Sequence, residues 1–199
     1  MTASRRRRKD RDIERARADI LDAAARAFAR EGFRGATMQA IADQAAYTVP
    51  TLYTYFRGKE AILEALVQRT LGGLLDAFDE PLPAGLTLAQ RVEAVHQHVF
   101  GYVEAHWDVL QFLTQLPPNL GPEVDADCAA VGRIAELLEA HAAPGELGAH
   151  TPESAAWILW GLGRGVFMHW LRADGDGRLV ARARDVADIF FHGIGGGAS

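Results

Sequence analysis

Cysteine is almost missing: Cys128 stands alone in 199 residues. The chain therefore cannot close an internal disulfide or build a zinc site from thiolates, which suits a reducing compartment. Long apolar runs are missing too. The stretch freest of charge, residues 155–170, is interrupted by Arg164 and is shorter than the roughly 20 residues a membrane-spanning helix needs. A buried helix is expected there, with no membrane partner. The basic cluster Arg5-Arg6-Arg7-Arg8-Lys9 is not followed by the apolar region of a secretory signal, so the expected location is the cytoplasm. No sustained alternation of β-branched residues speaks for strands. No G-x-S-x-G, H-E-x-x-H or paired-carboxylate arrangement occurs, and Cys128 has no catalytic signature around it, so no enzyme, cofactor or metal is expected.

What is present is a folding composition, 49% hydrophobic and 24% charged, in the range of globular proteins. The net charge of −5 hides an asymmetry. Residues 1–70 hold 14 basic and 9 acidic side chains, whereas residues 71–199 hold 7 and 17. A basic front favours a polyanionic partner, and an acidic remainder argues against DNA wrapped all around it. The run Arg5–Lys9 by itself can equally be a solvated face.

Apolar residues recur at helical spacing throughout, which makes the expected fold class all-α. A first helix is expected over about 11–30, with Ile13, Ala16/Arg17, Ile20/Leu21, Ala24 and Phe28 on one stripe and Gly32 as its stop. Two short helices follow: 38–44, capped by Thr37 and turning Met38, Ile41 and Ala42 inward, and 49–55, capped by Thr48 with Pro50 in its first turn. Gly58 opens a longer helix to about residue 78, and Glu80-Pro-Leu-Pro-Ala-Gly85 is a connector. Thr87-x-x-Gln90 reads as a capping box for a helix to about 105. Further helices are expected over 107–116, ended by Pro117-Pro118, over 122–141, over 151–172 and over 178–192. Asp174-Gly-Asp-Gly177 is a turn, and a glycine-rich tail closes the chain, giving about nine helices in all.

Three helices with a tight turn between the second and third form a helix-turn-helix layout, in which the second short helix enters the major groove. Here that helix is 49–55. Thr48, Thr51, Tyr53, Thr54 and Tyr55 offer hydroxyls for phosphates and base edges, while Leu52 and Phe56 point to the core. Lys59, with the N–H groups opening the next helix, would clamp a phosphate. A plain helical hairpin satisfies the same spacing.

Taken together, Thr37-Met-Gln-Ala-Ile-Ala-Asp-Gln-Ala45, Thr51-Leu-Tyr-Thr-Tyr-Phe56 and Lys59-Glu60 resemble the signature of the tetracycline-repressor (TetR) family. The resemblance covers about residues 13–66. It implies a DNA-binding domain over 1–58 and a helical ligand-binding and dimerisation domain over 59–199. It also implies a homodimer on double-stranded operator DNA, with Thr37, Thr48, Thr51, Tyr53, Tyr55 and Lys59 on phosphates and Val49, Pro50 and Thr54 facing bases. The family usually places glycine and a small aliphatic residue in the turn, where this chain has Ala46-Tyr47. Either the turn shifts its dihedrals, or Ala46 stores about 1 kcal/mol of strain in a left-handed conformation. Tyr47 then packs on the first helix or reaches the DNA backbone.

In the second part of the chain, His96, Phe100, Tyr102, Trp107, Phe112, Trp157, Trp160, Phe167 and Trp170 concentrate aromatic surface. Such residues serve a core; as a set they can also line an apolar cavity. The candidate ligand-binding residues are His96, Phe100, Trp107, Phe112, Trp157, Trp160, Arg164 and Phe167, and the ligand an unidentified small hydrophobic molecule. His96, Arg164 and His169 are the few groups able to orient it, although Arg164 suits a structural ion pair as well. Gly161-x-Gly163-x-Gly165 lies within an apolar helix with no strand before it, so small residues admitting a neighbouring helix fit better than a phosphate loop. His98, Tyr102 and His106 share a face without neighbouring carboxylates, and no metal is expected. The expected function is a ligand-responsive transcriptional regulator, most simply a repressor. An orphan DNA-binding regulator, and a helical carrier or enzyme, are the alternatives.

Overall fold

The structure, a computed structural model, describes residues 3–116, 125–173 and 175–193. Among these residues every regular element is helical: nine α-helices and one short 3₁₀ turn. The expected stop at Pro117-Pro118, the helix start at 122, Asp174 and the tail beyond 193 lie outside the described residues.

α1 (Ala3–Gly35) starts earlier than its apolar stripe suggests. Ile13 is 37% exposed, so the buried stripe begins at Ala16 and runs through Ile20, Leu21, Ala24 and Phe28. The basic segment ahead of it is helical because Arg and Lys are good helix formers and neither Gly nor Pro interrupts it. Gly32 breaks the regular geometry at φ 68, ψ 167, a left-handed φ that favours glycine. α2 (Met38–Ala45) and α3 (Val49–Tyr55) follow, capped by Thr37 and Thr48. α4 is Lys59–Asp76. The connector after it carries Gly85 at φ 80 and leads to α5 (Leu88–Ala105), opened by a complete Thr87/Gln90 capping box. α6 is Trp107–Thr114, α7 Asp125–His141, α8 Pro152–Arg172 and α9 Ala183–His192, the last preceded by the 3₁₀ turn Val180–Arg182.

These elements form two compact units. The first comprises the described parts of Met1–Thr70 and Asp108–Gly121, the second those of Leu71–Trp107 and Pro122–Ser199. In the first, Ile20, Phe28, Ile41, Leu52, Ile62 and Leu66 are fully buried, and Phe112 stacks on Phe28 at 5.5 Å. In the second, α5 packs on α9 and α7 on α8, around Val92, Ile134, Leu138, Leu159, Leu179 and Val186.

Within this unit the apolar stretch 155–170, expected as a buried helix, is buried along one side. Ala155, Ala156, Leu159, Gly163 and Trp170 are buried, whereas Trp157 and Ile158 are 46% and 45% exposed. A single helix face is enough to fill this unit's core, so an apolar helix of this size leaves its other face outside.

Candidate nucleic-acid interface

The first unit builds a short exposed helix on a buried platform. Thr37 accepts from the Ala40 N–H at 3.1 Å, satisfying one of the free donors at the start of α2. α2 ends at Ala46, with φ 57 and ψ 37. This is the only non-glycine residue with positive φ among the described residues, so the strained alternative holds rather than the shifted turn. The Tyr47 N–H then closes on the Ala42 carbonyl at 3.0 Å. The Tyr47 side chain takes the first of its two expected places: it is half-buried, and its hydroxyl donates to Asp19 of α1 at 3.4 Å. Partial desolvation and the Asp19 carboxylate push this phenol above its ordinary pKa, which keeps it a donor.

α3 is positioned from both ends. Thr48 caps it, accepting from the Thr51 N–H at 3.3 Å, and its hydroxyl pairs with that of Thr51 at 2.8 Å. Leu52 and Phe56 are buried. At the C-terminus, where helix carbonyls lack intrahelical partners, Arg17 donates from Nη1 to the Tyr55 carbonyl at 2.8 Å. Its guanidinium lies 4.2 Å from the centre of the Phe56 ring, a cation–π contact. The outward face that results carries Pro50, Tyr53 and Thr54, all exposed, with Tyr53 at 54%. These positions are three and four apart and so share one side of a helix. Val49, Thr51 and Tyr55 are half-buried, while Thr37 and Thr48 are exposed.

Lys59 is held inward. Its ammonium donates to the carbonyls of Phe33 at 2.6 Å and Ala36 at 2.8 Å and lies 4.7 Å from the Phe33 ring centre. The expected phosphate clamp thus starts from an ammonium already holding two carbonyls. Arg17 was not singled out from the sequence as a site residue, although a signal existed: an arginine in register with an apolar stripe. Arg5–Arg8, Lys9, Arg11 and Arg15 are all exposed along the first turns of α1.

The candidate ligand residues do not form one set. His96 is buried, donates from Nδ1 to the Val92 carbonyl at 2.8 Å, and meets Phe100 edge-on at 5.6 Å. Burial pushes its pKa below the ordinary value. A Cβ on Gly163 would lie 3.0 Å from its Nε2, so glycine there admits the imidazole. Trp107 meets Trp170 edge-on at 4.5 Å, Trp160 lies 6.3 Å from Phe78, and Phe167 is half-buried. Trp157 is exposed, and Arg164 is exposed and donates from Nη1 to both Asp127 carboxylate oxygens at 2.8 and 2.9 Å. Phe112 belongs to the first unit.

Comparison with known proteins points the same way as this geometry. The profile of "Bacterial regulatory proteins, tetR family" matches residues 20–66. The transcriptional repressor KstR2 of Rhodococcus jostii is 33% identical over 79 residues, 40% of this chain and 39% of that protein. The transcriptional activator FasR of Mycolicibacterium smegmatis is 33% identical over 88 residues, 44% of this chain and 40% of that one. The matches thus span well under half the length of these relatives. The crystal structure of the regulator FadR from Bacillus subtilis, in complex with stearoyl-CoA, superimposes with a TM-score of 0.74 at 23% identity, over 89% of this chain and 98% of that one, a likeness of fold. The matched segment takes in the second half of α1, the whole of α2 and α3, and the start of α4, and over these residues the chain is similar to the tetR family of bacterial regulatory proteins.

Proposed function

We propose that the protein is a ligand-responsive transcriptional regulator, acting as a repressor, that binds a palindromic operator as a homodimer and is released by a small apolar or aromatic molecule. The observation that carries this reading is the exposed Pro50/Tyr53/Thr54 face of α3, held at both ends within the segment matched by the family. No catalytic role is proposed. No helix among the described residues is long and apolar enough to cross a membrane, and a cytoplasmic location goes with the proposed role.

Dimerisation through α8 and α9 as a four-helix bundle is supported by the outward face of α8. Trp157 and Ile158 are exposed there, and a Cβ on Gly161 or Gly165 would meet nothing within 4 Å, so another helix can approach closely. Two-fold symmetry sets paired recognition helices about 34 Å apart, one turn of DNA. A ligand acting through α4 would change that spacing, and a coupling of about 1–3 kcal/mol alters DNA affinity roughly 5- to 150-fold. The stearoyl-CoA bound by Bacillus subtilis FadR supports an apolar ligand. The orphan reading, with no inducer, is favoured by the exposure of Trp157 and by the Arg164–Asp127 ion pair.

Selection of duplexes from a random pool, followed by fluorescence anisotropy, tests the core of the proposal. A preferred palindrome is expected, with Tyr53→Ala/Thr54→Ala abolishing the preference; normal binding by that variant sinks the recognition-helix assignment. Light scattering should give a dimer that Gly161→Leu disrupts. Acyl and aromatic compounds that raise the melting temperature should release the selected duplex, and stabilisation without release speaks for the orphan reading.

A further inference from the structure

The composition of α3 restricts what it can read in DNA, an inference that rests on the regulator reading above. Val49-Pro-Thr-Leu-Tyr-Thr-Tyr55 contains no Arg, Lys, Asn, Gln, Asp or Glu. The side chains that grip guanine or adenine with two hydrogen bonds in the major groove are therefore missing from the recognition helix. In its neighbour α2, Gln39 is exposed and donates one Nε2 proton to Asp43 at 2.8 Å, which leaves Oε1 and the other proton, a set suited to adenine and not to guanine. Arg57 is exposed but follows Phe56, whose backbone is extended, and so lies beyond the helix.

The threonine hydroxyls of α3 are also engaged. Thr54 donates from Oγ1 to the Thr51 carbonyl at 2.6 Å, so its proton is used within the helix and it offers a methyl group and oxygen lone pairs. The Thr51 hydroxyl pairs with Thr48. What the exposed face presents is a pyrrolidine ring at Pro50, the Tyr53 phenol and the Thr54 methyl. The one apolar feature in the major groove is the C5-methyl group of thymine.

We infer that the Pro50/Tyr53/Thr54 face recognises thymine methyl groups, with Thr54 Oγ1 limited to accepting from base amino groups, and that no guanine is gripped by two hydrogen bonds from this helix. Specificity then comes from the pattern of methyls in each half-site. Each contact is modest, since burying one apolar carbon corresponds to about a fourfold change in affinity.

The test uses the full chain and the duplex it prefers from a random pool. Replacing single thymines by deoxyuridine removes only the methyl, and about a fourfold loss is expected at one or more positions in each half-site. Replacing guanine by 7-deazaguanine removes the major-groove N7 and should leave affinity within about twofold, far below the loss of a bidentate contact. Thr54→Ser keeps the hydroxyl and removes the methyl, so at the thymine it touches the deoxyuridine effect should vanish. Indifference to deoxyuridine at every thymine, or a loss of about tenfold or more with 7-deazaguanine, overturns the inference and leaves the regulator reading standing. A pool that yields no preferred duplex overturns the regulator reading itself, and this one with it.

Discussion

Removing the Arg17 fork should loosen α3 at its C-terminal end without touching its outer face. The cleanest change is Arg17→Met, which keeps an unbranched stem on Phe56 and deletes the hydrogen bond to the Tyr55 carbonyl. A hydrogen bond from a charged donor contributes about 1.5–3 kcal/mol, and a partly exposed cation–π contact about 0.5–1 kcal/mol. Methionine recovers part of this through sulfur–aromatic contact, about 0.3–1.5 kcal/mol. We therefore predict a net loss of about 0.5–3.7 kcal/mol, read as a lower urea midpoint with unchanged slope. Because DNA must then re-order a helix that Arg17 had fixed, affinity for the preferred duplex should fall by up to about 2- to 500-fold, the same energy expressed as a ratio. Arg17→Lys should recover only part of either effect, since lysine cannot hold the carbonyl and cover the ring with one planar group. A methionine variant matching the parent in both urea midpoint and operator affinity would refute the reasoning.

Three further predictions concern backbone and burial. Ala46→Gly should stabilise the protein by about 1 kcal/mol, because glycine adopts φ 57 without penalty; a lower melting temperature would contradict the strain assigned to the turn. His96 is neutral and buried, with its folded pKa below that of the unfolded chain. The unfolded state alone then gains a proton as the pH falls below about 6.5, so stability should decline from there toward the folded pKa by at most about 1.4 kcal/mol per pH unit. His96→Gln should flatten that part of the stability–pH curve, and an unchanged slope would exclude His96 as its source. Gly163→Ala should destabilise by about 1–3 kcal/mol, the range for overpacking, because the new Cβ would press on His96; differential scanning calorimetry showing no loss would mean that the imidazole moves freely.

The features legible in the sequence were those decided within four residues. Thr37, Thr48 and Thr87 with Gln90 all cap the helices they were expected to cap, because a side chain accepting from a nearby N–H is a local event. Leu52 and Phe56 pointed inward for the same reason, through helical spacing. What could not be read was long-range: Arg17 reaches Tyr55 across 38 positions, and Lys59 reaches Phe33 across 26. Phe112 looked like one more aromatic of the second half, yet it stacks on Phe28, since nothing in its own neighbourhood says which core it joins. The surplus apolar face of α8 was legible in composition, since a stretch apolar nearly all round has more surface than one small unit can bury.

The anchoring of α3 also bears on how such a protein diverges. The residues that hold the helix, Arg17, Thr48, Leu52 and Phe56, and those that face away from it, Pro50, Tyr53 and Thr54, are separate sets with no member in common. Substitutions on the outer set leave the platform's packing intact, so under the proposed function duplicated copies of this gene can drift toward new operator sequences without first passing through unstable intermediates.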